Sequence, residues 1–521
     1  MSWWAVRMAG VVIALIVSTA CGSGTAGQPK AVGGTIEEFA MGITSLASLD
    51  VAKAYTTESV PTQAVVTEPL EYSDLSGGFT SNLAESVEAT PTSIVYTLRE
   101  GIEFSDGTPL TIGDVVWSLE RLIDDEASTK AWLAGVAAVA ATGEREVTVT
   151  LSKADPSMRT ALTYVGHIMS RAFAEANAED LGTAAAMPVG TGPYKYTSYT
   201  ASRVEMDRNP NYWGEKPAPD RLAFDIIPED TQRQLALRSG SIQGGKVVDI
   251  GKLSEWASIP GVAVETSPAL RLNYLSFDVT QPPFDDVHMR RMVAYSLDRE
   301  GVMKSAYGEA ADLMPVFTPK EALYGTAPSQ EEADNFLASV PTYSFDMDKA
   351  AMELARSKHP DGLDFEVYFL NEYPWSRLAA LNLQENLAPL GVNVKPTVIA
   401  YDKYISDVYA GGPPSPGAAE SSYPAPSATR IHSNLEGAFN VAKYDTREVT
   451  KIMPDLFSSN PAAQWEAVTK ILTKIAEDAP YIPLFQPQRG FALAEGLTFT
   501  KDLDPLIFES GQWIHFLSKA G

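Results

Sequence analysis

The stretch LRSGSIQGGKV, residues 237–247, separates Gly240 from Gly245-Lys246 by four residues, the spacing of a phosphate-cradling P-loop. A working P-loop lies between a strand and a helix, wraps phosphates in backbone N–H groups, and follows its Lys with a Ser or Thr that holds Mg²⁺. Val247 stands in that place and has no oxygen to offer a metal. The preceding LALRSG reads as the end of a helix stopped by Gly240, so the spacing is expected to be a turn between helix and strand, without ATP chemistry. The histidines, His167, His288, His359, His432 and His515, follow neither H-x-x-x-H nor H-E-x-x-H spacing, and no zinc site or other cofactor is expected. No G-x-S-x-G elbow offers an activated serine.

Charge narrows the partners. The 521 residues carry a formal charge of −26, and a surface so acidic repels phosphate backbones and anionic lipid while favouring solubility. Nucleic acid is therefore excluded as an expected partner. Cys21 is the single cysteine, so no disulfide within the chain can staple the fold and stability must come from a large core.

The N-terminus reads as a secretory signal. MSWWAVRMAGVVIALIVSTA has a cation at Arg7 and then an apolar run, residues 8–17, that is too short for a permanent membrane span. Small residues, Ser18-Thr19-Ala20, lead into Cys21-Gly22, an arrangement that resembles bacterial lipoprotein signals, in which the cysteine becomes the lipid-modified first residue. Ser18 departs from the Leu usual in that box, and ordinary cleavage leaving a free thiol is the alternative. The reading is a signal peptide over 1–20 and a flexible tether over 21–34, rich in Gly, Ala and Ser. A multiply acylated Cys21 would hold the protein at a membrane surface.

Further along, SIVYTLREGIEFSDG and REVTVTLSKAD alternate apolar and polar residues and predict antiparallel strands. Between them, TIGDVVWSLERLID predicts a helix opened by a Thr111/Asp114 capping box. Helices are also predicted in VHMRRMVAYSLDREGVMKSAYG, DMDKAAMELARSKH, WSRLAALNLQENLAPLG and PAAQWEAVTKILTKIAEDAP, several followed by strand-like runs such as FEVYFL and VNVKPTVIA. That alternation implies α/β construction with mixed sheets. GGPPSPGAAESSYPAPSA, residues 411–428, lacks any period and is expected to be an irregular loop, either a binding element or a disordered insertion.

Several stretches together resemble one family, the extracytoplasmic solute-binding proteins of family 5 that serve ABC importers for peptides, nickel chelates and some oligosaccharides. They are NLAESVEATPTSIVYTLREGIEFSDGTPLTIGDVVWSLERL, GTGPYKYTSY, VEMDRNPNYWGEKPAPDRLAFDIIPED, ALRSGSIQ, PPFDDVHMRRMVAYSLDREGVM and AEDAPYIPLFQ, in that order. The resemblance implies an α/β bilobal periplasmic-binding-protein-like fold of the large type II class, with two mixed-sheet lobes joined by a hinge. Lobe I would comprise 35–70, 188–272 and 481–521, with an extra subdomain over 71–187, and lobe II would run over 273–480. The crossings would lie near Leu272-Tyr274 and Pro480-Pro483.

Peptide-binding members carry a Trp and an Asp-Tyr pair in the second lobe, the Asp meeting the ligand's ammonium. Here Ala419 and Ser422 stand where the Trp and Asp would be and Tyr423 fits, so the neutral Ser422 leaves a desolvated ammonium without its counter-charge unless Glu420 supplies it. The resemblance also places Trp132, Trp375 and Tyr401 at the cleft, with Tyr274 at the first crossing; each could equally be core. Trp375, which follows Pro374 and starts a helix, is expected to be exposed at the cleft edge.

The implied function is a lipid-anchored receptor on the outer face of the bacterial cytoplasmic membrane, monomeric and non-enzymatic. It would capture a peptide, or an oligosaccharide or other neutral solute, and deliver it to an ABC permease and, through that, to ATPase subunits. A docking or regulatory lipoprotein of the envelope that does not bind solute is the other expectation.

Overall fold

The structure, a computed structural model, describes residues 34–521 apart from 57, 76, 125, 372, 423–426 and 459. The leader, Cys21 and nearly all of the tether lie outside the described residues, as does Tyr423. No helix among the described residues is long and apolar enough to cross a membrane.

The backbone is built on a mixed sheet, twelve-stranded among the described residues. In one half, Ile36–Ile43 pairs in parallel with both Pro219–Ile226 and Gly244–Val247, while Arg203–Arg208 and Tyr194–Tyr199 continue the sheet antiparallel. In the other, Asp364–Leu370 pairs in parallel with Asn393–Ile399, and Arg271–Ser276 is an inner strand. A single strand, Tyr481–Ala494, joins the halves. Its first residues pair with Arg271–Ser276 (Ser276 opposite Tyr481, Asn273 opposite Phe485), and its last with Gly244–Val247 (Val247 opposite Gly490, Gly244 opposite Leu493). Fourteen residues at about 3.3 Å each are long enough to serve both halves.

The strand is delivered by the helix Pro461–Asp478. Asn460 caps its first turn, and Val468, Ile471, Leu472 and Ile475 bury one stripe. At its end Ala479, left-handed at φ 50°, turns the chain into the sheet.

A separate antiparallel sheet runs in the order Ala84–Thr90, Ser93–Leu98, Glu146–Leu151, Val136–Ala141. The helix Ile112–Leu122 covers it. Thr111 and Asp114 form the expected capping box, and Val115, Leu119 and Leu122, one helical stripe, are buried in the same cluster as Ile94, Val147 and Val149. Each such side chain contributes about 1.5–3 kcal/mol by leaving water. The sheet's predicted strands and this helix are as the alternation and the cap signal require.

The helical stretch VHMRRMVAYSLDREGVMKSAYG divides into Val287–Ser296 and Arg299–Tyr307: Leu297 is extended and Asp298 accepts a hydrogen bond from the Gly301 N–H, so a new N-cap ends the first run. One expectation is corrected. The stretch 411–428 is not wholly irregular, because Gly417–Ser422 is an inner strand, antiparallel to Arg271–Ser276 from Ser276 opposite Gly417 to Arg271 opposite Ser422. No period betrays it since small Ala418 and Ala419, on opposite faces, are both buried.

The P-loop spacing resolves as expected. Helix Asp230–Ser239 ends at Gly240, left-handed at φ 75°, and the chain enters the strand Gly244–Val247. Helix then strand is the reverse of the order that cradles phosphate.

Candidate functional site

Both halves of the sheet wall a cavity of about 580 Å³, within the range of small-molecule sites. Lys246, the lysine of the P-loop spacing, is on its wall. The strand Gly244–Val247 sets Lys246 opposite Phe491, and its ammonium reaches Glu58 at 2.6 Å. Both side chains are about one-sixth exposed, 16 and 17%. Burial alone would raise the Glu58 carboxyl, but the Lys246 charge and hydrogen bonds from Lys246 and Thr44 outweigh it and hold the carboxyl below its usual range. At Lys246 burial prevails: desolvation, helped by the nearby Arg489 cation, holds the ammonium below its usual value despite Glu58. Arg489, on the joining strand, pairs in turn with Glu509.

The opposite wall is built on the Arg271–Ser276 and Gly417–Ser422 strands. Arg271 pairs with Glu420 at 3.2 Å, and the Glu420 side chain is 12% exposed. Burial pushes the Glu420 carboxyl up, and the Arg271 and Arg489 charges only partly restore it. Tyr307, also on the wall, accepts a hydrogen bond from Asn273. Two further carboxylates, Glu265 and Asp504, wall the cavity from the first half; burial raises both, and like charge from Asp502 adds to the effect at Glu265.

Of the residues singled out in the sequence, Glu420 and Trp375 line the cavity. The expected exposure of Trp375 is corrected: it is 1% exposed, stacked on Tyr373 and edge-on to Phe485, because the start of its helix packs down on the joining strand instead of projecting from the cleft edge. Tyr401 is 40% exposed and meets Tyr373 edge-on. Tyr274 is core, held edge-on between Phe317 and Tyr481, and half-buried Trp132 packs on Tyr55. Tyr401, Tyr274 and Trp132 are not on the cavity wall. Ser422 ends its strand opposite Arg271. Lys246, Glu58, Arg271 and Arg489 were not legible as cleft residues; only Lys246 carried a local signal, and that signal named the wrong chemistry.

Such a wall can hold a polar solute by charge and hydrogen bonds on two facing surfaces. Among the described residues, no group of three or more His, Cys, Asp or Glu is placed to hold a metal.

A mixed sheet shared by two halves, with a charged cavity between them, is the bilobal periplasmic-binding-protein-like fold. The model of the family described as bacterial extracellular solute-binding proteins, family 5 Middle, matches residues 78–418, and the chain belongs to that family. It is similar to HbpA2 from Haemophilus parasuis, with a TM-score of 0.80 at 18% identity, covering 93% of this chain and 100% of that one. It is 28% identical over 361 residues to a Brucella ovis protein named for ABC-transporter peptide binding, covering 66% of this chain and 65% of that relative's length. It is 24% identical over 438 residues to the glutathione-binding protein GsiB of Escherichia coli K12, covering 80% of this chain and 82% of GsiB.

Proposed function

We propose that this protein is the solute receptor of an ABC importer, capturing a short peptide in the cavity and presenting it to a membrane permease and its ATPase subunits. The cavity itself carries the reading, since acid–base pairs stand on both of its walls. A ligand that touches both walls has more contacts when the lobes are closed, and only such a difference can shift the equilibrium toward the closed form. In this reading lobe I comprises 35–70, 188–272 and 481–521, its subdomain 71–187, and lobe II 273–480, with the joining strand and Arg271–Ser276 as the hinge strands. Charged walls favour a peptide over a neutral oligosaccharide, and the names of the Brucella and GsiB relatives agree with that choice.

The same reading has a signal peptide over 1–20 removed and Cys21 lipid-modified, so that a monomer is tethered by 21–34 to the outer face of the cytoplasmic membrane. It makes no covalent change to the solute. Thermal unfolding of the chain expressed from about residue 30 and stripped of carried-over ligand tests it, against peptides, oligosaccharides and metal chelates. A ligand bound only by the folded state adds about 2.7 kcal/mol at a hundredfold excess over its dissociation constant. Stabilisation by a peptide is expected, and no response to any class refutes the receptor reading. Turnover of ATP or ester substrates by the same protein would refute the absence of catalysis.

A further inference from the structure

Two buried N–H groups of cavity-wall residues have no hydrogen-bond partner among the described residues. Trp375 is 1% exposed and on the wall, yet its indole N–H finds no acceptor among the described residues. Arg271, on the same wall, has its Nη1 3.2 Å from Glu420 as an ion pair, while its buried Nε–H likewise lacks an acceptor. The two belong to one cluster: Tyr373 stacks on Trp375 with ring centroids 6.3 Å apart and feels the charges of both Arg271 and Glu420. A buried N–H without an acceptor is costly, and native structures keep few of them. Both orphans are donors, so the missing group is an acceptor.

Across the cavity the imbalance has the opposite sign. Lys246 and Arg489 already face Glu58 and Glu509, while Glu265 and Asp504 line the wall without an ion pair of 4 Å or less among the described residues. Asp504 accepts from the Ile507 N–H as a helix cap, and the nearby Lys501 charge offsets its burial only in part. One wall has donors without an acceptor, and the other has two carboxylates without a close ion pair among the described residues.

We infer that the cavity takes a zwitterion in a fixed direction, its carboxylate on the Arg271 Nε–H and Trp375 Nε1–H and its ammonium toward Glu265 and Asp504. This rests on the receptor reading and deepens it. The amine is thus held by lobe I. The carboxylate spans Arg271, on a hinge strand, and Trp375 of lobe II, while the ammonium stays on lobe I, so the solute touches both lobes and contributes to closure.

The test is titration calorimetry with alanyl-phenylalanine and alanyl-alanyl-phenylalanine, each as the free peptide, the C-terminal amide and the N-acetyl form. Charge-assisted hydrogen bonds predict that amidation and acetylation each weaken binding about tenfold or more. Trp375→Phe keeps the ring and removes the N–H, and is expected to weaken the free peptide about tenfold while narrowing its advantage over the amide. Glu265→Gln, on a half-buried side chain, is expected to narrow the advantage of the free amine over the acetyl form and leave the amide contrast unchanged. A peptide that binds equally as free acid and amide, or variants that weaken all three forms alike, would overturn the inference while leaving the receptor reading intact. So would binding of a neutral oligosaccharide with neither peptide bound. If no peptide, oligosaccharide or metal chelate binds, the receptor reading fails and the inference with it, whereas a chelate bound with neither peptide overturns the inference alone.

Discussion

Replacing Lys246 with Met removes the positive half of the Lys246–Glu58 pair and keeps an unbranched apolar stem in its place. Glu58 retains its hydrogen bonds from the Thr44 N–H and hydroxyl at 3.3 and 2.9 Å, but loses the cation 2.6 Å away. Removing one partner of a buried pair costs about 3–5 kcal/mol; with each side chain about one-sixth exposed, the lower end, about 3 kcal/mol, applies at pH 7.5. Unfolding entropy near 2.1 cal/mol/K per residue over this chain converts that to a Tm lower by about 3 °C. The sign with pH follows from Glu58. In the native protein its carboxyl is lowered, so its contribution is present above the unfolded pKa, about 4.3, and is lost as pH falls through the lower folded value. Without Lys246 burial is left to raise that carboxyl, so the variant is penalised above the raised value and recovers as Glu58 takes up a proton. Thermal unfolding by circular dichroism at pH 7.5 and 5.0 reads both effects: the gap between variant and native protein should shrink at the lower pH. A gap that is absent at pH 7.5, or is equal at both, refutes the assignment of Lys246 as the counter-charge of Glu58.

Glu68, 1% exposed, accepts hydrogen bonds from Thr191, Trp213, Asn82 and Tyr212, so Glu68→Gln turns an amide N–H₂ toward donors and should cost about 1–3 kcal/mol in urea unfolding. Burial raises the Glu68 carboxyl, so its contribution is lost as pH rises from the unfolded value, about 4.3, through the raised folded one, and the gap between Gln variant and native protein should narrow over that rise. Gly190→Ala would put a Cβ 2.0 Å from the Val66 carbonyl and should lower stability by at least about 2 kcal/mol, whereas Gly240→Ala meets nothing within 4 Å and bears only the left-handed strain of about 1 kcal/mol; equal urea midpoints for the two would contradict this contrast. Val247→Thr completes the P-loop spacing in sequence but leaves it on a strand after a helix, so ATP should neither be hydrolysed nor raise the Tm of that variant.

Short-range physics made much of this protein legible from its residues. The Thr111/Asp114 cap, the left-handed stop at Gly240 and the strand alternation of SIVYTL and EVTVTL depend on neighbours within a turn or a pleat, and they stand in the structure as they read in the sequence. The ordered family stretches likewise identified the bilobal binding-protein fold and the family itself. What the sequence left open is set by pairing across long chain separations. Lys246 and Glu58 lie 188 residues apart and meet only because Gly244–Val247 is slotted between the joining strand and Ile36–Ile43. Glu420 enters the cleft on a strand of small residues whose burial on both faces erases any period, and Trp375 disappears beneath a helix start that packs against Phe485. Local pattern records which elements can form; the register between distant strands decided which of their side chains share a cavity, and a single residue of slip would have turned them to the other face.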